Sequence, residues 1–309
     1  MSESAPLLLI ASSALQRTPA FERAVAMAHA SGVPLRIVAL DYIRMLEVFG
    51  WLNHEWLSTM REGHLQGHRR WLEQEAEHER RGGLDCSVQV VWSDYVVEDI
   101  KKCVAAIGPA MLIKDVHQES SLRSVFSTPL DWHLLRDCQC PVQFVTSSLH
   151  ALPRKILVAV NLYRAKDVDL RLNDQILHAA TRLGRESGAS VHVLYSYDWA
   201  RIYASGITML GSMPIETGFQ EALADAHEDA FAMLCERFGV DNRHRHFLTG
   251  TPQTMIELFA RHNDFDVLVI GTLPRQDRWG FLGGTARALL AQAPCSMLIV
   301  KADTLVDGE

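Results

Sequence analysis

VLVIGTLPRQDRWGFLGGTARALLAQAPCSMLIVK, Val267 to Lys301, decides the fold of this chain. Val267 to Ile270 is an apolar run of strand length, and Gly271 is expected to stop that strand. Gly284-Thr285 follows thirteen positions after Gly271, and ARALLAQA then keeps helical spacing until Pro294 ends it. Ser296 to Val300 reads as a second apolar strand. Strand, glycine-bearing loop, helix and strand make a βαβ unit, whose crossover should be right-handed. Free backbone N–H groups and the helix dipole both point into such a loop, so it is suited to hold an anion.

Working outward, the same grammar fills the chain. The second half opens with the strand KILVAVN, Lys155 to Asn161. A helix follows over Asp174 to Glu186, then a strand over Val191 to Tyr197, an irregular part, and a long helix over Phe219 to Phe238. A strand over Asn242 to Thr249 and a helix over Pro252 to His262, which Thr249 or Thr251 could cap, lead back to Val267. The first half repeats this order. Strands are expected at Pro6 to Ser12, Leu35 to Leu40, Cys86 to Trp92, Ala110 to Lys114 and Pro141 to Thr146. Helices are expected at Pro19 to His29, Leu65 to Arg81, Val96 to Ile107 and Leu130 to Arg136, with Asp41 to Gly63 irregular. The chain is therefore an internal duplication with a period of roughly 150 residues. Two α/β domains follow, residues 1–148 and 153–309, each a doubly wound, five-stranded parallel sheet. Ligands of such sheets bind beyond the C-terminal strand ends. In the second half that places Asn161, Tyr195 to Tyr197 with Ser196 between them, and the Gly271 to Thr285 loop together.

Composition narrows the function. Hydrophobic residues make up 48% and charged residues 22% of the 309, which is globular rather than disordered. A net charge of −7 argues against a nucleic-acid partner, which needs clustered Lys and Arg. No apolar run reaches bilayer-spanning length, so no membrane partner is expected. The opening MSESAPLLLIASS lacks the basic segment of a secretory signal, and a cytoplasmic location is expected. Six cysteines in a chain of this length do not make a disulfide framework.

Several clusters have both a chemical and a plain reading. Gly271, Thr272, Gly283, Gly284 and Thr285 can cradle phosphate, or can form a tight turn with Thr285 as helix cap. Pro274 removes a backbone donor from the loop, while Arg275 and Arg278 can supply charge. In the first half Lys114, His117 and Ser127-Thr128 occupy the corresponding spacing, and side chains there crowd the place of a phosphate. Lys114 reads as a solvated lysine. His64 and His68 lie four apart on a helix face, where surface histidines are favoured over a metal pair. Cys138 and Cys140 are read as a buried thiol pair on a strand, so no metal site is assigned. Trp51, Trp56, Met209 and Met213 either cover the core or line a pocket for an apolar, lipid-like ligand. No nucleophile elbow or ordered triad is present, and no catalytic residue is assigned.

The loop Gly271…Gly284-Thr285 resembles the phosphate loop of the universal stress protein superfamily, with Pro274 where that loop has its second glycine. The block IKDVHQESSLRSVFSTPLDWHLLRDCQCPV and the later FLGGTA are similar to its E-type tandem members. The resemblance implies two adenine nucleotide alpha-hydrolase-like domains paired as an intramolecular pseudo-dimer, with a homodimer of chains also open. It implies a stress-response binding protein whose second domain takes ATP, with Mg²⁺ as its companion, or another phosphate-bearing ligand. Asn161, standing where the family places an Asp, together with Ser196, Gly271, Thr272, Arg275, Gly283, Gly284 and Thr285, would be the binding residues. The first domain would be structural or bind a partner. Slow ATP hydrolysis, or carriage of a lipid-like molecule, are the alternatives.

Overall fold

The computed structural model describes residues 5–41, 54–116, 129–146, 150–163, 167–202, 217–272 and 284–302. The chain forms two compact units that divide between Leu152 and Pro153.

The first unit contains β1 (Leu7–Ala11), α1 (Pro19–Ser31), β2 (Leu35–Asp41), α2 (His54–Arg81), β3 (Cys86–Trp92), α3 (Val96–Ile107), β4 (Met111–Asp115), α4 (Pro129–Asp137) and β5 (Val142–Val145). Its strands are all parallel. β1 lies between β2 and β4, β3 flanks β2, and β5 flanks β4. The second unit contains β6 (Lys155–Ala159), α5 (Asp167–Ser187), β7 (Ser190–Tyr197), α6 (Thr217–Arg237), β8 (Arg245–Thr249), α7 (Pro252–His262), β9 (Val267–Thr272), α8 (Gly284–Ala291) and β10 (Ser296–Lys301). Here β6 lies between β7 and β9, β8 flanks β7, and β10 flanks β9, again all parallel. The two halves thus share one strand order, as the duplication requires. In each, the chain turns from one side of the sheet to the other at its first strand, which creates a crevice at the C-terminal strand ends.

The central strands form because their apolar runs can be covered on both faces. Leu8, Leu9, Leu112 and Ile113 are fully buried in the first unit, and so are Ile156 to Val158 and Val267 to Val269 in the second. Helix ends follow local chemistry. Thr18 caps α1 by accepting the Phe21 N–H at 3.3 Å, and Gly32 closes it at φ 67°, a conformation that a side chain disfavours.

The structure corrects several expectations. α2 starts at His54, so Trp56 lies in a helix rather than in an irregular part. α5 starts at Asp167, and Asn242–His244 is a 3₁₀ turn ahead of β8. Thr251 precedes α7 but makes no capping hydrogen bond with its side chain. Cys138 and Cys140 are buried, as expected, but lie in the turn before β5. His68 is no surface residue: it is 1% exposed and packed against buried Asp41. Trp51, Met209 and Met213 lie outside the described residues.

Most informative is Gly271, which does not stop β9 but lies inside it, paired with Val300. A Cβ at this position would sit 2.6 Å from Leu172 Cγ on α5. The glycine lets α5 seat directly on the strand. Gly271→Ala is expected to cost about 1–3 kcal/mol from overpacking. Leu172→Ala in the same chain should recover part of that loss, as read by urea unfolding midpoints.

A second stability term sits on β7 and β8. His192 Nδ1 and His246 Nε2 share a hydrogen bond at 3.0 Å, and the His192 ring lies 4.2 Å from that of His244 and edge-on to Phe265. Burial, then the neighbouring His244 and His246, lower the His192 pKa to about 4. An unfolded histidine titrates near ~6.5, so between these values the unfolded chain takes up a proton that the folded chain refuses. This stability is complete above the upper value and is lost as pH falls toward the lower one. The unfolding midpoint should drop across that window, and His192→Phe should flatten the drop.

Candidate functional site

The crevice of the second unit lies at the C-terminal ends of β6, β7 and β9. Asn161 follows β6 and is exposed. Its backbone is strapped by buried Asn173 of α5, whose Oδ1 accepts the Asn161 N–H at 3.0 Å and whose Nδ2 donates to the Asn161 carbonyl at 2.9 Å. The Asn161 Oδ1 accepts the Tyr163 N–H at 3.1 Å, a local turn that fixes the side chain. Ser196 is buried, and its hydroxyl donates to the Gly250 carbonyl at 2.7 Å, stitching β7 to the turn after β8. Thr272 ends β9, is buried, and its carbonyl accepts the Ala302 N–H at 3.1 Å. The structure therefore brings Asn161, Ser196, Gly271 and Thr272 to one edge of the sheet, with the side chains of Asn161 and Ser196 already bonded.

Gly284 is the first residue of α8, is exposed, and has open space where a Cβ would stand. Thr285 therefore lies in the first helical turn rather than at the cap, and is half-buried. The first turn of α8 carries no acidic residue. The leading amides of a helix have no partner within it and lie at the positive end of its dipole. Arg275 and Gly283 lie outside the described residues.

Sequence reasoning missed two features of this crevice. Arg201 is exposed beside it, with its guanidinium 4.9 Å over the Tyr163 ring and its carbonyl accepting from the Tyr163 hydroxyl at 3.1 Å. A lone arginine in an irregular stretch gives no signal of that placement. Beneath β7 an aromatic layer forms from Tyr195, Tyr197, Phe231 and Phe247, with the Tyr195 hydroxyl 2.9 Å from His227 Nδ1. Burial raises the Tyr195 phenol above its ordinary pKa and lowers the His227 imidazole. Both groups are held neutral near pH 7, which suits packing rather than acid–base work.

The first unit fills the corresponding place with its own charges. Lys114 on β4 is 5% exposed, so it is not the solvated lysine that the sequence suggested. Its Nζ lies 2.9 Å from Asp131 Oδ1 and donates to the Asp115 carbonyl at 2.9 Å. Asp131 is buried in the first turn of α4, and Asp115 Oδ1 accepts the Ala20 N–H at the start of α1 at 2.9 Å. Asp115 thus meets the start of α1, and Asp131 adds a negative charge to the first turn of α4. His117, Ser127 and Thr128 lie outside the described residues.

Comparison with known proteins fits this geometry. The Universal stress protein family profile matches residues 7–146 and again residues 153–301. The chain is 28% identical over 300 residues to Universal stress protein E of Photorhabdus laumondii, covering 96% of this chain and 95% of that one. It is 27% identical over 289 residues to Universal stress protein E of Escherichia coli, covering 92% and 90%. A crystal structure of a functionally unknown protein from Pseudomonas aeruginosa has the same fold, with a TM-score of 0.74 at 22% identity over 97% of this chain and 93% of that one. Among the described residues no helix is long and apolar enough to cross a membrane. Two profile matches over two units of one strand order make this chain a tandem, two-domain member of the Universal stress protein family.

Proposed function

We propose that this protein is a stress-response binding protein whose second unit takes ATP, or another phosphate-bearing ligand, weakly at the ends of β6, β7 and β9. Family membership supports the stress-response role. The observation that carries the ligand reading is the contrast between two helix starts. In the first unit α4 has Asp131 in its first turn, paired with Lys114. In the second unit the first turn of α8 has no acid, and space is open at Gly284. An anion supplied from outside would do for α8 what Asp131 does for α4. Exposed Arg201 adds a nearby positive charge. Asn161 is neutral, so it would not repel phosphate and would not serve as an anionic Mg²⁺ ligand; Mg²⁺ enters this reading only as the companion of ATP. The first unit, whose corresponding strand end holds the Lys114–Asp131 ion pair, acts as a scaffold or partner surface.

Thermal unfolding with ATP, ADP and AMP, with and without Mg²⁺, tests the reading. Ligand at tenfold its Kd stabilises by about 1.4 kcal/mol, a shift of a few degrees. Gly284→Asp should abolish the shift while leaving the fold intact, because the site is exposed and uncrowded. No shift at millimolar nucleotide, or an unchanged shift in the variant, would overturn it. Lys114→Met should instead destabilise the protein by about 3–5 kcal/mol, because it leaves the Asp131 carboxylate buried without its cation. Lys114→Met with Asp131→Leu should regain most of that stability. Neither change should alter the response to ATP.

A further inference from the structure

We infer that Asp41, His64 and His68 of the first unit form a binding site for a divalent cation of the Zn²⁺ class. Asp41 ends β2, is 1% exposed, and is fixed by the Ser93 N–H, which donates to its carbonyl at 3.0 Å. His64 and His68 lie one helical turn apart on α2, which packs on β3, the neighbour of β2. Asp41 Oδ2 is 2.9 Å from His68 Nδ1 and 3.2 Å from His64 Nε2. One donor atom from each of the three residues lies within 4.8 Å of the others. Metal–ligand bonds of about 2.0–2.2 Å put the corners of a tetrahedral shell about 3.4 Å apart, close to the spacing already present.

Hydrogen bonding inside the protein does not account for the trio. His68 Nδ1 beside both Asp41 oxygens, at 2.9 Å each, explains one contact. His64 Nε2 is buried and makes no hydrogen bond among the described residues, although the carboxylate oxygen is only 3.2 Å away. His68 Nε2 is likewise buried without a hydrogen-bond partner among them. Buried polar groups left unsatisfied are costly, and a cation that takes the His64 Nε2 lone pair removes that part of the cost. Two imidazoles and one carboxylate are a borderline N/O donor set, which favours Zn²⁺, Co²⁺ or Ni²⁺ over Mg²⁺ or Ca²⁺. The His64 side chain is 33% exposed, and a zinc site with three protein ligands takes water as its fourth. The inference is independent of the ATP reading, which concerns the other unit.

The histidines of the second unit supply an internal control. His192 and His246 bond directly to each other at 3.0 Å, and among the described residues no carboxylate joins them in a metal-ligating group. The full chain, stripped with chelator and dialysed, is titrated with Zn²⁺ by calorimetry. Bound metal is then counted by mass spectrometry, and Co²⁺ absorption reports the coordination. A single equivalent should bind to the unaltered protein. His64→Ala, at a partly exposed position, should weaken binding by on the order of 100-fold with an unchanged circular dichroism spectrum. His192→Phe should bind as the unaltered protein does. Failure of the unaltered protein to hold Zn²⁺ at micromolar concentrations would overturn the proposal. Binding that survives in His64→Ala, or that is lost in His192→Phe, would overturn it equally.

Discussion

Backbone amides at the start of a helix have no partner within that helix, and a parallel α/β sheet aims several such starts at one edge. A side-chain oxygen, water or an anion can meet them. In the first unit the protein supplies carboxylates: Asp115 meets the start of α1, and Asp131 sits in the first turn of α4. Lys114 then becomes necessary, because a buried carboxylate without a counter-charge costs several kcal/mol. In the second unit α8 carries no such acid, and Gly284 stands open. The two halves share a frame and differ in the charge carried by the first turn of the corresponding helix.

That difference changes what the glycines mean. Gly271 and Gly284 stand at the two ends of one motif, yet physics gives them separate duties. Gly271 is held by packing, since Leu172 occupies the volume that any side chain would claim. Gly284 meets no such neighbour, so nothing within the described fold demands a glycine there. Sequence spacing treats the pair as equal, and only the helix that crosses over β9 tells them apart.

The frame was legible because it depends on short-range pattern. Apolar runs as short as Leu7–Ile10 and Val267–Ile270 favour strands covered on both faces, and the repeat of their order exposed the duplication. The site was legible to the level of the strand ends, which brought Asn161, Ser196 and Thr272 to one edge. Burial of individual polar residues was not legible. Lys114 and His68 are ordinary surface residue types, and their burial follows from partners far along the chain, Asp131 for one and Asp41 for the other. The four-residue spacing of His64 and His68 was visible, but the carboxylate that gives it chemical meaning comes from a different strand. Arg201 was hidden for the same reason: its place is set by Tyr163, 38 positions away.

A duplicated fold can diverge in this way because its stability and its edge chemistry are nearly separable. The central strands carry apolar, buried runs in both units, such as Leu7–Ile10, Ile156–Val158 and Val267–Ile270, and these drive folding with little regard to the strand ends. The ends are polar, and each polar choice there must be balanced locally. A buried carboxylate calls for a cation, and a ring nitrogen buried without a partner calls for a proton donor, an acceptor or a metal ion. Once the first unit had balanced its helix starts with Asp115, Asp131 and Lys114, an external phosphate had no remaining charge to answer at that point. At the end of β2 in that unit, the buried ring nitrogens His64 Nε2 and His68 Nε2 face no hydrogen-bond partner among the described residues. Electrostatic satisfaction, more than strand order, therefore separates the chemistry of the two halves.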